Sequence, residues 1–146
     1  MSDKDLNMSD AFASRLMSST IRHIDNTTDI AWPNSDFDPS GKSAWIEYTF
    51  VSADTSTDSK DSIGIVDSGF AQITIFTKLN KGDNGSVKMY DRDLLEIRGD
   101  LKEIFKPNTM MEYNGTKVYV DDLSPTPAIP SESWYQSVLT INYFSP

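Results

Sequence analysis

The sequence predicts an α+β fold in which two helices pack on one face of a mostly antiparallel sheet of about five strands. Three observations predict this class. Apolar side chains recur every three or four residues over 86–105, which indicates an amphipathic helix. Residues 134–143 alternate as a half-buried strand does, and Asn114-Gly115 is a strong hairpin signal between two β-rich stretches. The expected order is α-β-β-α-β-β-β within a single domain, residues 1–146.

The first helix is expected at residues 8–24, after a flexible polar N-terminus at 1–7. Asn7 can cap it, because an asparagine side chain accepts a hydrogen bond from a free amide of the first turn. Its apolar side chains follow helical spacing approximately: Met8, Phe12, Leu16, Ile21 and Ile24. Two prolines and a glycine then predict an irregular loop over 32–41.

The next two elements are strands at 44–51 and 70–77, which are rich in aromatic and β-branched residues. Between them, residues 52–69 are expected to form a long mobile loop. Its length exceeds what a hairpin requires, and long loops in compact domains are often functional.

In the second half of the chain, Ser86 can cap the second helix and Pro107 stops it. A hairpin of 109–113 and 117–123 follows, and a proline-rich connection leads into the final strand. Because two helices cannot cover both faces of such a sheet, we expect a neighbouring subunit to cover the other face.

The chain carries 22 acidic and 13 basic residues, for a net charge of −9. This charge argues against sequence-independent DNA binding, which draws its affinity from Lys and Arg on phosphates, and against docking on anionic membranes. There is no cysteine, which excludes disulfides and thiolate chemistry and fits a reducing cytoplasm. The N-terminus lacks a secretion-signal pattern, and no apolar run reaches the roughly 20 residues that span a bilayer.

The segment Ser40-Gly41-Lys42-Ser43 resembles part of a phosphate-binding P-loop, but the motif requires a glycine where this chain has Asp36. A carboxylate at that position would repel phosphate. The segment also precedes a strand, whereas a P-loop opens a helix. We therefore expect no nucleotide site.

Two groups of acids invite a metal interpretation: Asp54, Asp58 and Asp61 in one loop, and Asp121-Asp122 at the end of a strand. Calcium needs an ordered set of oxygen ligands with a glycine at the bend, which these spacings do not supply. Solvated carboxylates are the preferred interpretation, and weak divalent binding between subunits stays open. We expect no metal and no cofactor.

His23 is the only histidine, so neither a two-histidine zinc site nor a facial triad can form. A serine–histidine nucleophile would have to use it, and no Gly-x-Ser-x-Gly turn is present. Nothing among the 22 acids selects a carboxylate pair for glycoside chemistry. We expect a structural role for His23 and no enzymatic activity.

The aromatic residues could form a ligand cage, but such residues more often serve as core and interface anchors. The set is Trp32, Phe37, Trp45, Tyr48, Phe70, Phe76, Trp134 and Tyr143. Trp45 lies on the strand face opposite Tyr48 and Phe50. We expect it to be exposed and to be the best interface candidate.

Four stretches follow one another in an order typical of one family: Trp32-Pro-Asn-x-x-Phe-x-Pro39, Ser68-Gly-Phe-Ala-Gln-Ile-Thr-Ile75, Tyr113-Asn-Gly-x-x-Val118 and Trp134-x-x-x-Val-x-Thr-Ile-x-Tyr143. A short N-terminal helix, a variable polar loop and a long second helix accompany them. Over residues 8–144 the chain resembles the small structural proteins of tailed bacteriophages that are related to tail terminators.

The resemblance implies an α+β fold without a catalytic site, located in the tail or neck of the virion after synthesis in the host cytoplasm. Tail terminators form a ring, typically a hexamer, that stops polymerisation of the tail tube and presents a surface to the head-completion proteins. The implied partners are further copies of this chain, the tail tube protein and the head-completion or connector proteins. DNA would pass through the lumen without specific binding, and the acidic excess would keep it from sticking.

We expect an interface that involves Trp45, Asp54, Asp58, Asp61, Ile63 and Ile65. The 52–69 loop is predicted to contact the tail tube or a neighbouring subunit and to become ordered there. Two alternatives stay open: a minor tail or head-completion component of the same fold, and a monomeric acidic protein-binding module.

Overall fold

The computed structural model describes residues 3–57, 65–78 and 92–146, and side chains outside 53–66. Its two helices are α1 (Lys4–Ser18) and α2 (Arg92–Ile104). Its strands are β1 (Ile30–Ala31), β2 (Ala44–Thr57), β3 (Ile65–Lys78), β4 (Met110–Tyr113), β5 (Thr116–Pro125), β6 (Ile129–Ser131) and β7 (Trp134–Ser145). The α+β class fits this content, whereas the expected count of about five strands is wrong because the described residues alone form seven.

The seven strands form one sheet in the order β1-β2-β3-β7-β5-β4, with β6 paired to β7 as well. All neighbours are antiparallel except β1, which runs parallel to β2. β3 pairs with β7 along the whole length of β7. The opposite edge of β7 is shared by β6 and β5. The two strands missing from the prediction are the shortest, with two and three residues. Pro130 in β6 cannot donate to a ladder, and a proline is tolerated at a sheet edge.

One face of the sheet and both helices enclose a single hydrophobic core. From the helices it takes Met8, Ala11, Phe12, Leu16, Leu94, Ile97 and Leu101. From the central strands it takes Ile46, Tyr48, Ala71, Ile73, Ile75, Leu139, Ile141 and Tyr143. Phe12 lies at the centre, fully buried, with its ring centroid 5.8 Å from that of Phe105 and 5.4 Å from that of Tyr143. Both helices therefore cover the same face, as the sequence predicts.

Helix α1 begins and ends earlier than its predicted span of 8–24. At its start, Lys4 is already helical and its Nζ lies 2.7 Å from a carboxylate oxygen of Asp67 in β3. Residues 4–7 thus belong to the helix and not to a tail that precedes it, while the expected flexibility of 1–7 stays a prediction and residues 1–2 lie outside the described part.

The end of α1 is determined by side chains that satisfy its last carbonyl groups. The Ser19 hydroxyl donates to the Arg15 carbonyl at 2.6 Å, and the Asn26 amide donates to the carbonyls of Leu16 and Met17. Serine and asparagine side chains compete with helical hydrogen bonding in this way. Ile21 is buried outside the helix, where it begins a turn and forms a bridge with Ile24, so the helical spacing of these two residues does not mark a helix.

Strands β2 and β3 are longer than predicted. Their pairing runs past a bulge between Ser52 and Thr55 and continues to the pair Thr57↔Ile65. The expectation that all of 52–69 is a loop is therefore wrong at both ends, because two polar strands can still satisfy their backbone groups by pairing with each other. Residues 58–64, where the rest of that loop was expected, lie outside the described residues.

The second half of the chain follows the prediction closely. Leu94, Ile97 and Leu101 are fully buried on one side of α2, while the predicted cap at Ser86 lies outside the described residues. Asn114 and Gly115 have φ angles of 49° and 82°. Two central residues with positive φ are typical of the turn that matches the twist of a two-residue hairpin. The expected hairpin is confirmed as β4 and β5.

Candidate interaction surfaces

The structure describes one of the six side chains predicted for an interface. The backbones of Asp54 and Ile65 are described, in β2 and β3 respectively. The side chains of these two residues lie outside the described part, as do those of Asp58, Asp61 and Ile63. The side chain of Trp45 points to the sheet face opposite the helices, yet Trp45 is only 8% exposed. The exposure expected for Trp45 is therefore wrong, because other rings of the same chain cover it. Its role at an interface stays a prediction.

Four aromatic side chains form what we call the aromatic cluster: Phe37, Trp45, Phe76 and Trp134. Trp45 stacks on Phe76 with ring centroids 3.9 Å apart and planes at 7°. Phe37 and Trp134 cover it from other sides, at 4.9 and 5.9 Å between centroids. The indole Nε1 of Trp45 is buried and has no acceptor among the described residues. A buried donor without an acceptor costs about 1–3 kcal/mol.

At the other end of the same face lies an apolar row formed by Met110, Tyr119 and Phe144, in neighbouring strands. The rings of Tyr119 and Phe144 stack with centroids 5.3 Å apart, and Met110 and Phe144 are 44% and 38% exposed. The sequence analysis missed this row. The alternation of the last strand, continued by one residue, would have placed Phe144 on the face opposite Tyr143.

A band of polar side chains separates the apolar row from the aromatic cluster. It contains Glu47, Thr49, Gln72, Thr74, Gln136, Thr140 and Asn142. The same face also carries Val51, Phe70 and Val138, so it is apolar at its two ends and mixed in between.

The far ends of β2 and β3 extend beyond the neighbouring strand. The last pair between β3 and β7 is Asp67↔Ser145, whereas β2 and β3 continue through Ser56↔Val66 and Thr57↔Ile65. We call residues 53–66 the arm. Beyond Glu47, no strand of the described chain pairs with the other edge of β2. Within the described part of the chain, residues 53–57 of β2 therefore have no partner strand along this edge, and such an edge can accept an added strand.

A further feature, made of charged side chains, joins the segment after α1 to helix α2. The Arg22 guanidinium donates to Glu96 and to Asp100, at 3.1 Å in each case. His23 Nε2 lies 2.9 Å from Glu96 Oε1 and 3.6 Å from Asp93 Oδ1. The hydrogen bond to His23 lowers the pKa of Glu96, and the one from Arg22 lowers the pKa of Asp100. We call these five residues the α2 clasp.

His23, Tyr48 and Lys42 take part in structural contacts. No hydrogen bond in the described part of the chain joins His23 to a serine hydroxyl. Burial raises the pKa of Tyr48 to about 12, and burial also raises the pKa of Tyr143, so both phenols stay protonated at neutral pH. In the P-loop-like segment, Lys42 Nζ pairs with Asp29 at 3.0 Å. The surfaces described above are therefore the features from which a function can be argued.

Neither helix in the described parts of the chain has the length and apolar character needed to cross a membrane.

Comparisons with known proteins address the family directly. No curated protein matches the chain. One solved structure, of a protein known by a sequence identifier alone, has a TM-score of 0.69 and 19% sequence identity, over 100% of this chain and 96% of that chain. At this identity the likeness shows the fold alone. A family model described as phage tail terminator protein matches residues 7–143, which confirms the resemblance found in the sequence. The chain belongs to the phage tail terminator protein family.

Proposed function

We propose that copies of this chain form a ring, which we expect to be a hexamer. This ring caps the phage tail tube and joins it to the head-completion proteins. The observation that carries the proposal is the family match over residues 7–143, since this is a family of phage tail structural proteins. The implied location is the virion tail or neck, after synthesis in the host cytoplasm.

Two separate surfaces of the chain suit a closed ring. A ring forms when one surface of a subunit binds a different surface of the next and the rotation closes. The arm lies at one end of β2 and the aromatic cluster at the other. Twelve residues separate Trp45 from Thr57, which is about 40 Å in an extended strand. In the ring we propose, the arm reaches the aromatic end of the next subunit, so that Asp54, Asp58, Asp61, Ile63 and Ile65 meet the neighbourhood of Trp45.

The charge of the chain supports a passage for DNA through such a ring. Each subunit contributes a net charge of −9, and like charge suppresses contacts with phosphates. In the proposed ring, DNA slides through the lumen without specific binding, and the remaining surfaces contact the tube and the head-completion proteins.

The first test is native mass spectrometry across a concentration series, combined with electron microscopy of purified tail tubes. The wild-type chain is expected to form hexamers, or to remain monomeric in solution and appear as a ring at the end of tubes. A monomer that leaves the tubes uncapped would contradict the ring and favour the monomeric module. Binding at another position on the tail would favour a minor tail or head-completion component.

The second test shortens the arm. Replacing 58–64 by Asn-Gly would join Thr57 to Ile65, which are cross-strand partners, through a two-residue turn. This variant is expected to keep the unfolding transition of the wild type and to lose ring formation. A full-length control with Asp58→Asn and Asp61→Asn separates arm length from charge. Normal rings and normal capping by the shortened variant would refute the proposed role of the arm.

A further inference from the structure

Three side chains of the α2 clasp have the composition of a metal site. His23, Asp93 and Glu96 each offer one ligand atom, and these atoms lie within 4.8 Å of one another. The set comprises one imidazole and two carboxylates. With a single histidine, this set differs from the two-histidine zinc site that the sequence excludes.

Two of the three ligand–ligand distances, those from His23, are close to the spacing around a small transition-metal ion. Zinc binds nitrogen and oxygen at about 2.0–2.2 Å, which places neighbouring ligand atoms roughly 3–3.5 Å apart. His23 Nε2 is 2.9 Å from Glu96 Oε1 and 3.6 Å from Asp93 Oδ1, on either side of that range. The Asp93 side chain is 61% exposed, so it can rotate towards an ion without disturbing the core.

The surroundings orient the ligands. Arg22 binds Glu96 through Oε2, which leaves Oε1 directed at His23. Neighbours that hold a ligand in this way raise the affinity of metal sites. The φ angle of His23 is 68°, a left-handed conformation that turns its ring back towards α2 and that histidine adopts more readily than most residues.

The charged side chains around the three ligands have opposing effects on a bound cation. Arg22 and Arg92 lie near Glu96 and oppose a cation, whereas Asp93, Glu96 and Asp100 supply three carboxylates. An imidazole ligand favours zinc, cobalt, nickel or copper over calcium and magnesium, which prefer oxygen ligands.

We propose that His23, Asp93 and Glu96 bind one divalent transition-metal ion, with water completing its coordination. The ion would replace the proton between His23 and Glu96 and would fasten the segment after α1 to helix α2. This inference is independent of the ring and goes beyond it.

The test uses the full chain without a histidine tag at pH 7.5, with Zn²⁺ in calorimetry and Co²⁺ in visible absorption. We expect one Zn²⁺ per chain, a rise in the thermal midpoint with Zn²⁺ but not with Mg²⁺, and cobalt absorption bands that report nitrogen and oxygen ligands. His23→Asn keeps a residue that tolerates positive φ, and it is expected to weaken Zn²⁺ binding at least tenfold. Asp93→Asn should weaken binding too.

Glu103→Gln is the matched control. It removes one negative charge from the same helix at a side chain that is 78% exposed and lies outside the group. Binding in this control should equal that of the wild type. No Zn²⁺ binding by the wild type would overturn the proposal. Equal weakening by Glu103→Gln and Asp93→Asn would also overturn it, because it would indicate diffuse attraction by the acidic surface.

Discussion

Two glycines of this chain differ in backbone conformation. Gly115 has a φ angle of 82° in the β4–β5 turn, whereas Gly99 lies inside α2, and neither has a heavy atom within 4 Å of where a Cβ would stand. Because space is available at both positions, only the backbone conformation distinguishes the effect of adding a methyl group.

Gly115→Ala is expected to destabilise the protein by about 1–2 kcal/mol, since an L-residue is strained in the left-handed region. Gly99→Ala is its control, with an expected gain of about 0.5–1 kcal/mol from reduced freedom of the unfolded chain. Urea unfolding of the two variants measures both. The same sign in the two variants would contradict this account.

The sequence predicts residues of this kind well when the signal is local. Asn114-Gly115 identifies its turn because positive φ is a property of the dipeptide itself. Trp45 shows the opposite case, since its burial depends on Phe37, Phe76 and Trp134, which come from a loop and two other strands. Strand alternation assigns a side chain to a face of the sheet, but cannot tell which distant rings cover it.

Among the larger elements, α2 shows how contacts distant in sequence hold a helix in place. The α2 clasp attaches it to the segment after α1. On the β7 side, the Arg98 guanidinium donates to the Thr126 carbonyl at 2.7 Å and also contacts the Ser137 hydroxyl. Apolar spacing predicts which side of α2 faces the core. It does not predict these polar contacts, because their partners lie up to 78 residues away.

The α2 clasp should make stability depend on acidity. Glu96 and Asp100 have folded-state pKa values below the ordinary 4.5 and 3.8, so their contribution is fully present above those values and is lost as the pH falls through the lower folded values. Arg22→Ala should therefore flatten the loss of stability between about pH 5 and about pH 3, because the hydrogen bond from Arg22 is the largest cause of the lowered pKa of Asp100. Thermal unfolding across that pH range measures the slope.

Lys106→Ala provides the comparison for this slope. It removes one positive charge from an exposed pair with Glu103, and its profile should run parallel to that of the wild type. If Arg22→Ala is as steep as the wild type below pH 4.5, the clasp does not contribute in the way described.

For the molecule as a whole, net charge is the property with the clearest consequence. Because each chain carries a net charge of −9, we expect that the protein does not retain duplex DNA in a gel at about 0.15 M salt. At this salt concentration, attraction between surface charges is already screened. A variant with Asp54, Asp58 and Asp61 changed to Lys should begin to retain DNA at low salt, since each substitution makes the net charge of the chain more positive by two. Retention by the wild type at 0.15 M salt would contradict a lumen through which DNA slides freely.

The position of β7 has a consequence for how the chain is made. It is the last strand along the described chain, yet it lies inside the sheet between β3 and β5. The partners Lys78 and Trp134 are 56 residues apart, so at 5–20 residues per second a ribosome needs about 3–11 s to supply the strand that covers β3. During that interval the nascent chain presents an uncovered strand edge beside unfilled apolar surface, which is a template for aggregation. Ribosome-associated chaperones should therefore raise the soluble yield of this protein.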